Sequence, residues 1–226
     1  MKVLVIVPAF NEQGRLGQVL DDLHKYGYRN ILVVNDGSQD DTGNIARQKK
    51  VLVATHVVNR GLGAAIATGL AHARETLPDV AVTFDADGQH KASELKKLIG
   101  PIEDGKADVV IGSRIKGGAG KIPKRRLLPI LFSNIGTFLL YGIYFSDTTS
   151  GLRAFNRKAI ELIRIKSQRM EFSNEFFKEF VRNKLRVVDV PIAPIYTKYS
   201  MIGSKQGSEF SSSLKLGFKL MVDLLK

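Results

Sequence analysis

The stretch VAVTFDADGQH, from Val80 to His90, joins a continuous apolar run to an acidic turn. Apolar runs rich in β-branched residues predict strands that are buried on both faces, as in parallel sheets covered by helices. The same pattern recurs through the first half of the chain, where each apolar run ends in a polar or Gly-rich turn. The strands predicted from it are Val3–Val7, Ile31–Val34, Leu52–Val58, Val80–Phe84 and Val109–Ile111.

Amphipathic segments separate these strands and predict helices. They are Gly14–Tyr26, Asp41–Lys49, Leu62–Glu75 and Ser93–Glu103. Strands that alternate with helices indicate an α/β fold with a mostly parallel central sheet flanked by helices. Ligands of such sheets bind outside the carboxyl ends of the strands. Gly, Asn and Asp form turns in every class of protein, but several carboxylates at successive strand ends favour a binding site.

The second half of the chain has a different pattern. Lys116–Lys124 is rich in Gly and Lys and predicts a loop. Leu127–Phe145 then holds 19 residues without a charge, close to the roughly 20 that a membrane span requires. Three interpretations are open: a span, a helix in the membrane interface, which we favour, and an ordinary core helix. The remaining predictions are a strand pair, Leu152–Phe155 with Val187–Val190, and helices at Arg157–Arg164, Ser173–Asn183 and Glu209–Leu225.

Charge is unevenly distributed along the 226 residues. Residues 1–113 hold 13 basic and 14 acidic side chains, whereas residues 114–226 hold 21 basic and 8 acidic ones. Such an excess indicates an anionic partner for the second half: nucleic acid, a membrane surface or an acidic small molecule. The hydrophobic share of 44% is that of a globular protein, and the absence of cysteine excludes disulfides, thiolate metal sites and a cysteine nucleophile.

The acidic turn after Val80–Phe84 is a candidate metal site. Asp85 and Asp87 stand two residues apart at the predicted edge of the sheet, where both carboxylates can face one divalent cation. Mg²⁺ and Mn²⁺ favour oxygen ligands and are commonly held by one or two carboxylates together with substrate phosphates. Gln89 and His90 follow and can complete the site. A solvated turn without a ligand is the alternative interpretation.

Three further turns contain candidate ligand contacts. Asp36 ends the second predicted strand and can accept hydrogen bonds from a base or ribose, while Asp40 and Asp41 are placed to cap the next helix. Gly61 lets the backbone approach a nucleotide, although its segment lacks the third glycine of a dinucleotide-binding fingerprint. Arg114 ends the fifth strand, where its guanidinium suits a phosphate and a surface salt bridge is the equal alternative.

In this order, the motifs resemble those of the family 2 glycosyltransferases, the inverting GT-A class, and above all their dolichyl-phosphate mannosyltransferase branch. The resemblance covers essentially the whole chain. The segments that carry it are VPAFNE at 7–12, VNDGSQDDT at 34–42, NRGLG at 59–63, DADGQH at 85–90, GSR at 112–114, DTTSGLRAF at 147–155 and GSK at 203–205.

The resemblance implies three groups of site residues. Those expected to bind the sugar nucleotide are Pro8, Phe10, Asn11, Glu12, Asp36, Gly61, Asp85, Asp87 and Gln89. Those expected to hold Mn²⁺ or Mg²⁺ are Asp85, Asp87 and Gln89. Those expected to contact the acceptor phosphate are Arg114, Arg126, Ser133 and Lys205, with Lys121, Lys124 and Arg125 as further basic candidates.

The resemblance also implies a reaction: inverting transfer of a hexose, first of all mannose from GDP-mannose, to a polyprenyl phosphate such as dolichyl phosphate. Asp87, through the metal, and Arg114 would stabilise the leaving diphosphate. A lipid phosphate has a second pKa of about 6, so it is already ionised and needs little help from a base. A hydroxyl acceptor would need one, and Asp147 or Glu175 is the candidate. The runner-up is a family 2 enzyme that uses a UDP-sugar, glucose or N-acetylglucosamine, with a lipid-phosphate or hydroxyl acceptor on a polysaccharide or protein.

Two other classes of protein fit less well. A nucleic-acid-binding protein would interleave its basic residues with aromatic ones, and acidic turns repel phosphate unless a metal intervenes. We therefore expect no nucleic-acid partner. A sugar-1-phosphate nucleotidyltransferase usually has a Gly-rich, Arg-containing loop after its first strand, where this chain has PAFNE at 8–12.

The remaining expectations concern organisation and location. We expect one catalytic domain over residues 1–226, in which residues 1–113 bind the sugar nucleotide and residues 114–226 face the acceptor and the membrane. The apolar run Val3–Val7 is too short for the core of a signal peptide, so we expect a protein that is not exported. Basic residues contribute about 1 kcal/mol each near an anionic membrane, which predicts a peripheral protein on its cytoplasmic face. A separate membrane-anchor protein would be a further partner.

Overall fold

A computed structural model describes residues 1–118, 122–168, 172–193 and 195, with the backbone alone for Lys124 and Arg125. Within these ranges, seven strands form one sheet in the order β3-β2-β1-β4-β6-β5-β7. The strands are β1 Val3–Ala9, β2 Ile31–Asn35, β3 Leu52–Thr55, β4 Val80–Thr83, β5 Val109–Ser113, β6 Arg153–Asn156 and β7 Val187–Pro191. The predicted helix Glu209–Leu225 lies outside the described residues.

Strand β6 runs antiparallel to both of its neighbours, β4 and β5, whereas the other pairs in the sheet are parallel. The prediction of a mostly parallel sheet is therefore confirmed. The predicted pairing of Leu152–Phe155 with Val187–Val190 is wrong, because β5 lies between β6 and β7. Because β6 runs in the reverse direction, its amino end lies beside the carboxyl ends of β4 and β5, where Arg153 pairs with Thr83 and Ile111.

Helices cover both faces of the sheet. They are α1 Leu16–Lys25, α2 Thr42–Gln48, α3 Leu62–Thr76, α4 Leu95–Glu103, α5 Lys124–Tyr141, α6 Arg157–Leu162 and α7 Phe172–Arg182. Apart from α5, each begins and ends within two residues of its predicted bounds. The third predicted strand extends three residues too far, because the chain bends at Val57 and Val58, just beyond the hydrogen bond from the N–H of His56 to the carbonyl of Asn35 at 2.9 Å.

Alternate side chains of β1 pack into two separate hydrophobic layers. Val5 and Val7 pack with α1 and α4, while Leu4 and Ile6 pack with α3, α6 and α7. A strand covered on both faces requires a continuous apolar sequence, which is the pattern seen in β1. Gly69 of α3 lies so close to Ile6 that a Cβ at this position would overlap the isoleucine side chain. Helix α3 therefore packs tightly against the sheet and fixes the loop that precedes it.

Helix α5 has one buried face and one exposed apolar face. Ile130, Asn134 and Thr137 are buried against the rest of the protein. The opposite side, here called the apolar stripe of α5, consists of Leu128, Leu131, Phe132, Ile135, Phe138 and Leu139, all exposed. No helix in the described ranges, α5 included, is long and apolar enough to cross a membrane.

Candidate active site

The candidate site lies at the edge of the sheet where the parallel strands end. Strands β1 and β2 end level with each other, with Ala9 opposite Asn35. Asp85 stands two residues beyond β4, and Arg114 follows β5 directly. The segment 147–152 leads into β6 at the same edge. Residues far apart in the sequence thus meet where the rule for open α/β sheets places a ligand.

Asp85 and Asp87 lie close enough for each carboxylate to affect the other. Burial raises the pKa of Asp87, and the charge of Asp85 raises it further. Burial also opposes ionisation of Asp85, but a hydrogen bond from Nε2 of His90 at 3.2 Å and the charges of His90, Arg114 and Arg153 hold its pKa below the ordinary value. A cation bound by both carboxylates would relieve the repulsion that raises the pKa of Asp87.

The acidic pair fits a hard divalent cation such as Mg²⁺ or Mn²⁺. The backbone of Gly151 packs against the carboxylate of Asp85, because a Cβ at position 151 would overlap both carboxylate oxygens. In the parts of the chain that the structure describes, no three His, Asp or Glu side chains form a metal-binding cluster. The protein therefore offers two carboxylates, Asp85 and Asp87, and such a cation would take its remaining oxygen ligands from substrate and water.

Gln89 connects the acidic pair to α5. Its backbone N–H donates to Oδ1 of Asp87 at 2.9 Å, and its side-chain amide donates to Oδ2 of the same carboxylate. Its Oε1 accepts a hydrogen bond from Nη1 of Arg126 at 2.8 Å. Gln89, predicted as a metal ligand, thus orients Asp87 here. Arg126, predicted to contact the acceptor phosphate, lies one side chain away from the acidic pair.

Arg114 and Asp147 form a bidentate ion pair. Nε of Arg114 donates to Oδ2 of Asp147 at 2.7 Å and Nη2 donates to Oδ1 at 2.8 Å, while the backbone N–H of Arg114 also donates to Oδ2 at 3.0 Å. Nη2 reaches Thr149 Oγ1 at 2.6 Å as well. Asp147 has no exposed surface; burial opposes its ionisation, but Arg114 holds its pKa below the ordinary value. A carboxylate held in this way suits the positioning of Arg114 better than the abstraction of a proton.

Arg153 is buried directly behind these charged groups. Its guanidinium carbon lies 4.8 Å from the ring centre of Phe176, and Nη2 donates to the carbonyl of Thr148 at 2.9 Å. In the described part of the chain its Nε and Nη1 make no hydrogen bond. Burial lowers its pKa to about 10, against the opposing charges of Asp147 and Asp85. The side chain stays positive at neutral pH and adds positive charge behind both carboxylates.

Hydrogen bonds connect the loop after β1 to the loop after β2. The N–H of Asn11 donates to Oγ of Ser38 at 3.0 Å, and Oδ1 of Asn11 accepts from the N–H of Gln39 at 2.9 Å. The N–H of Glu12 donates to Oγ1 of Thr42 at 2.8 Å. The predicted nucleotide-binding residues Asn11 and Glu12 therefore belong to a pair of hydrogen-bonded loops, the one after β1 and the one after β2, here called the double loop.

A cavity of about 390 Å³ opens beside this double loop and is large enough for a nucleobase. Its walls include Phe10, Ser38, His56, Val57 and Val58. Gly37 also lines it with a φ of 68°, and a Cβ there would overlap the backbone of Asn59. Among the predicted nucleotide-binding residues, Phe10 lies in this wall, while Pro8 lies within β1 opposite Val34.

Asp36 holds the loop that precedes α3. Its carboxylate is 3% exposed and accepts hydrogen bonds from the N–H of Arg60 at 3.0 Å and of Gly61 at 2.7 Å. Nδ1 of His56 lies 2.6 Å from Oδ1 of Asp36, and Nε2 of the same ring lies 2.9 Å from Oγ1 of Thr68. The protein itself engages both oxygens of Asp36, so the predicted contact with a base or ribose stays a prediction.

The other predicted residues lie at different points of the structure, and not all of them lie near the acidic pair. Ser133 of α5 lies 2.8 Å from the hydroxyl of Thr148, next to Asp147. Glu175 accepts hydrogen bonds from the backbone of Lys166 and Ser167 and so holds a loop beside α7 rather than a substrate. Lys205 and Lys121 lie outside the described residues.

Sequence reasoning missed three residues that the structure places in or behind the site. His56 bonds Asp36, Arg153 lies behind Asp85, and Asn134 bonds the segment around Asp147. The one usable signal was an arginine inside the apolar strand Leu152–Phe155, since a charged residue in a buried strand demands a partner. Neither His56 nor Asn134 had a comparable signal, because each acts through a contact with a distant segment.

The comparisons with known proteins extend over most of the chain. Residues 4–164 match the sequence profile described as Glycosyl transferase family 2. UDP-N-acetylglucosamine–dolichyl-phosphate N-acetylglucosaminyltransferase of Methanococcus voltae is 36% identical in an alignment of 246 positions, gaps included, that covers 99% of this chain and 94% of the relative. Polyprenol monophosphomannose synthase of Mycolicibacterium smegmatis is 34% identical over 203 residues, which cover 84% of this chain and 76% of the relative.

Several solved structures have a fold similar to that of this chain. Glucosyl-3-phosphoglycerate synthase from Mycobacterium tuberculosis, in complex with Mn²⁺, UDP and glucosyl-3-phosphoglycerate, has a TM-score of 0.64 at 20% identity, covering 96% of this chain and 79% of that chain. The same enzyme has been crystallised with Mg²⁺ and UDP. At this identity the likeness shows the fold alone, and it confirms the predicted GT-A architecture.

Proposed function

Because this chain belongs to glycosyl transferase family 2, we propose that it transfers a hexose or N-acetylhexosamine from a sugar nucleotide to a polyprenyl phosphate. The profile match and the two relatives confirm the family predicted from the motifs. Both relatives carry lipid-phosphate acceptors or products in their names, which supports a polyprenyl phosphate as the acceptor here.

The observation that carries the proposal is the position of Arg114. Its guanidinium is fixed by Asp147 and lies close enough to Asp85 for its charge to lower the pKa of that carboxyl. One cationic group therefore lies near the acidic pair, which suits a metal-bound diphosphate, and is bonded to the segment 147–149, which Ser133 of α5 contacts through Thr148. The positive charge of a guanidinium in this place favours phosphate groups nearby.

The proposed reaction follows from this arrangement. An ionised phosphate oxygen of the acceptor attacks the anomeric carbon from the face opposite the leaving group, a new C–O bond forms, and the bond to the nucleoside diphosphate breaks with inversion. No proton needs to be removed from the acceptor. This agrees with the ion pair between Asp147 and Arg114, which suits Asp147 to positioning Arg114 and not to acting as a base. Arg114 would stabilise the negative charge that develops on the departing diphosphate. Asp85 and Asp87, oriented by His90 and Gln89, would hold Mn²⁺ or Mg²⁺, which when bound neutralises diphosphate charge.

Two sugar nucleotides are the leading candidates for the donor. GDP-mannose is supported by the motif resemblance, and mannose as the sugar also by the name of the mycobacterial relative. UDP-N-acetylglucosamine is supported by the name of the Methanococcus relative, which matches a larger share of both chains. The cavity beside Phe10 and His56 would take the base, and the double loop of Asn11 and Glu12 would stand beside the ribose.

We further propose that the protein works at the cytoplasmic surface of a membrane. The apolar stripe of α5 exposes large side chains, among them Phe132 at 70% and Leu139 at 61%. The basic first turn of α5, which contains Arg126, would meet anionic headgroups while the stripe enters the interface. In this arrangement residues 1–113 bind the donor and residues 114–226 receive the acceptor within one catalytic domain, with a separate anchor protein as an additional partner.

The test is a transfer assay with purified protein, Mn²⁺ and radiolabelled GDP-mannose, UDP-glucose or UDP-N-acetylglucosamine. Each donor is offered with a polyprenyl phosphate and, as a matched control, with the corresponding polyprenol, which has a hydroxyl in place of the phosphate. We expect label in the organic phase with one donor and the phosphate only. Label on the polyprenol alone would favour the hydroxyl-acceptor alternative, and no lipid label with any donor would overturn the proposal.

A further inference from the structure

Asn134 is a buried amide on the inner face of α5 that binds both neighbours of Asp147. Its Nδ2 donates to the carbonyl of Ser146 at 2.8 Å, and its Oδ1 accepts from the N–H of Thr148 at 3.0 Å and lies 2.9 Å from the Thr148 hydroxyl. Asn134 is 1% exposed. One side chain thus fixes the backbone on either side of the carboxylate.

Asp147 in turn fixes Arg114. Both of its oxygens accept hydrogen bonds from the Arg114 guanidinium, and Oδ2 also accepts from the Arg114 backbone N–H. A displacement of the segment 146–148 would therefore move the guanidinium that the proposed function places on the phosphates. An amide can donate to a carbonyl and accept from an N–H at the same time, whereas a carboxylate cannot donate and an aliphatic side chain can do neither.

We infer that Asn134 is a positioning residue that sets the direction of the Arg114 guanidinium through Asp147. This inference rests on the proposed function. The same helix carries the apolar stripe on its outer face. Helix α5 and the guanidinium of Arg114 are therefore connected through the segment 146–148, which Asn134 binds at both ends and whose Asp147 holds Arg114.

The test compares Asn134→Leu with Thr137→Val. Thr137 lies one turn further along the same buried face, and its hydroxyl has no hydrogen-bond partner in the described part of the chain, so its replacement by valine removes a buried hydroxyl without removing a hydrogen bond seen there. We expect kcat of Asn134→Leu to fall about 10- to 100-fold, as small misplacements of catalytic groups do, with the KM of the donor unchanged. Thr137→Val should keep the wild-type kcat.

A double-variant cycle shows whether Asn134 acts through Arg114. If it does, Asn134→Leu combined with Arg114→Lys should be no slower than Arg114→Lys alone, since the interaction to be positioned is already lost. Effects that multiply would overturn the inference, as would a folded Asn134→Leu variant with wild-type kcat. Thermal unfolding of each variant shows whether it is folded, and Asn134→Asp, which keeps the acceptor for Thr148, replaces Asn134→Leu if the latter does not fold.

A second readout does not depend on turnover. At 24.9 kDa the protein suits NMR, and the Nε–H signal of Arg114 can be assigned by its loss in Arg114→Lys. We expect Asn134→Leu, and not Thr137→Val, to shift or broaden this signal. An unchanged signal contradicts the positioning role even if the wild-type protein proves inactive on polyprenyl phosphates, whereas that inactivity with a shifted signal contradicts the proposed function only.

Discussion

The carboxylate of Asp85 packs directly against the backbone of Gly151, sixty-six residues later in the chain, with no room for a Cβ between them. This contact joins the loop after β4 to the loop before β6. It makes Gly151 a part of the candidate metal site although it has no side chain to offer a ligand.

Gly151→Ala should weaken metal binding. The added methyl group overlaps the Asp85 oxygens and has to push the carboxylate aside, so we expect Mn²⁺ affinity and kcat to fall about tenfold or more, in line with other changes just outside a metal shell. Calorimetric titration with Mn²⁺ and the transfer assay measure the two effects. Gly100→Ala is the control, since Gly100 lies in α4 with no atom within 4 Å of an added Cβ.

Asp87→Asn should abolish most of the metal-dependent activity. The variant keeps the size of the side chain but removes a charged oxygen ligand, and we expect kcat to fall about 100-fold or more. Titration of activity with Mn²⁺ should also show a higher half-saturating concentration. Asp104→Asn, at the exposed end of α4 beside Lys106, is the matched control; equal activity of the two variants would remove Asp87 from the metal site.

Arg114→Lys should lower kcat about 100- to 1000-fold, the range seen on loss of a charged or hydrogen-bonding group that stabilises a transition state. An ammonium keeps the charge but cannot form the two-point contact with Asp147. Steady-state kinetics with varied acceptor measures the effect. Arg157→Lys, an exposed arginine that donates to the carbonyl of Leu77, serves as the control and should retain full activity.

Membrane contact through α5 predicts a loss of vesicle binding on removal of the apolar stripe. Phe132→Gln with Leu139→Gln should weaken binding to anionic vesicles about 100-fold or more, since each buried Phe or Leu contributes about 1.5–3 kcal/mol. Flotation with phosphatidylglycerol vesicles measures this. Leu52→Gln, also at an exposed leucine but on the edge strand β3, should bind as the wild type does; undiminished binding of the α5 variant would exclude the stripe as the contact.

The loss of stability on acidification should depend in part on Asp108. Its carboxylate accepts hydrogen bonds from Arg186 and Asn156, and the bonds from Arg186, against the effect of burial, hold its pKa far below the ordinary value. A depressed pKa stabilises the folded state fully above the unfolded pKa of about 3.9, and this stabilisation is lost as pH falls below it.

Asp108→Asn should therefore reduce the free energy of unfolding most at neutral pH. The difference from the wild type, measured by urea unfolding at several pH values, should shrink as pH falls below about 4. Asp21→Asn, an exposed partner of Lys49, should show a much smaller difference. A difference that stays constant with pH would mean that ionisation of Asp108 does not stabilise the fold.

Much of the architecture followed from local patterns. Apolar runs such as Val3–Val7 and Ile31–Val34 can be satisfied only inside a sheet covered on both faces, so their strands were predictable. The polar turns at strand ends placed Asp85 and Arg114 at one edge, because parallel strands share the side on which they end. The limits of the predictions lie at β3, after which Val57 and Val58 are exposed in a bend instead of extending the strand, and at β6, whose partners depend on the order of strands in the sheet.

Local patterns in the amino-acid order were enough to identify the alternation of strands and helices, the acidic and basic residues at the strand ends, and the family to which their motifs belong. Three contacts could be known from the folded chain alone: Asp147 holds Arg114, Arg153 lies buried behind Asp85, and Asn134 binds both neighbours of Asp147. These contacts join segments that local periodicity does not relate. They arise because β6 inserts antiparallel between β4 and β5 and brings the segment that precedes it to the edge where the parallel strands end.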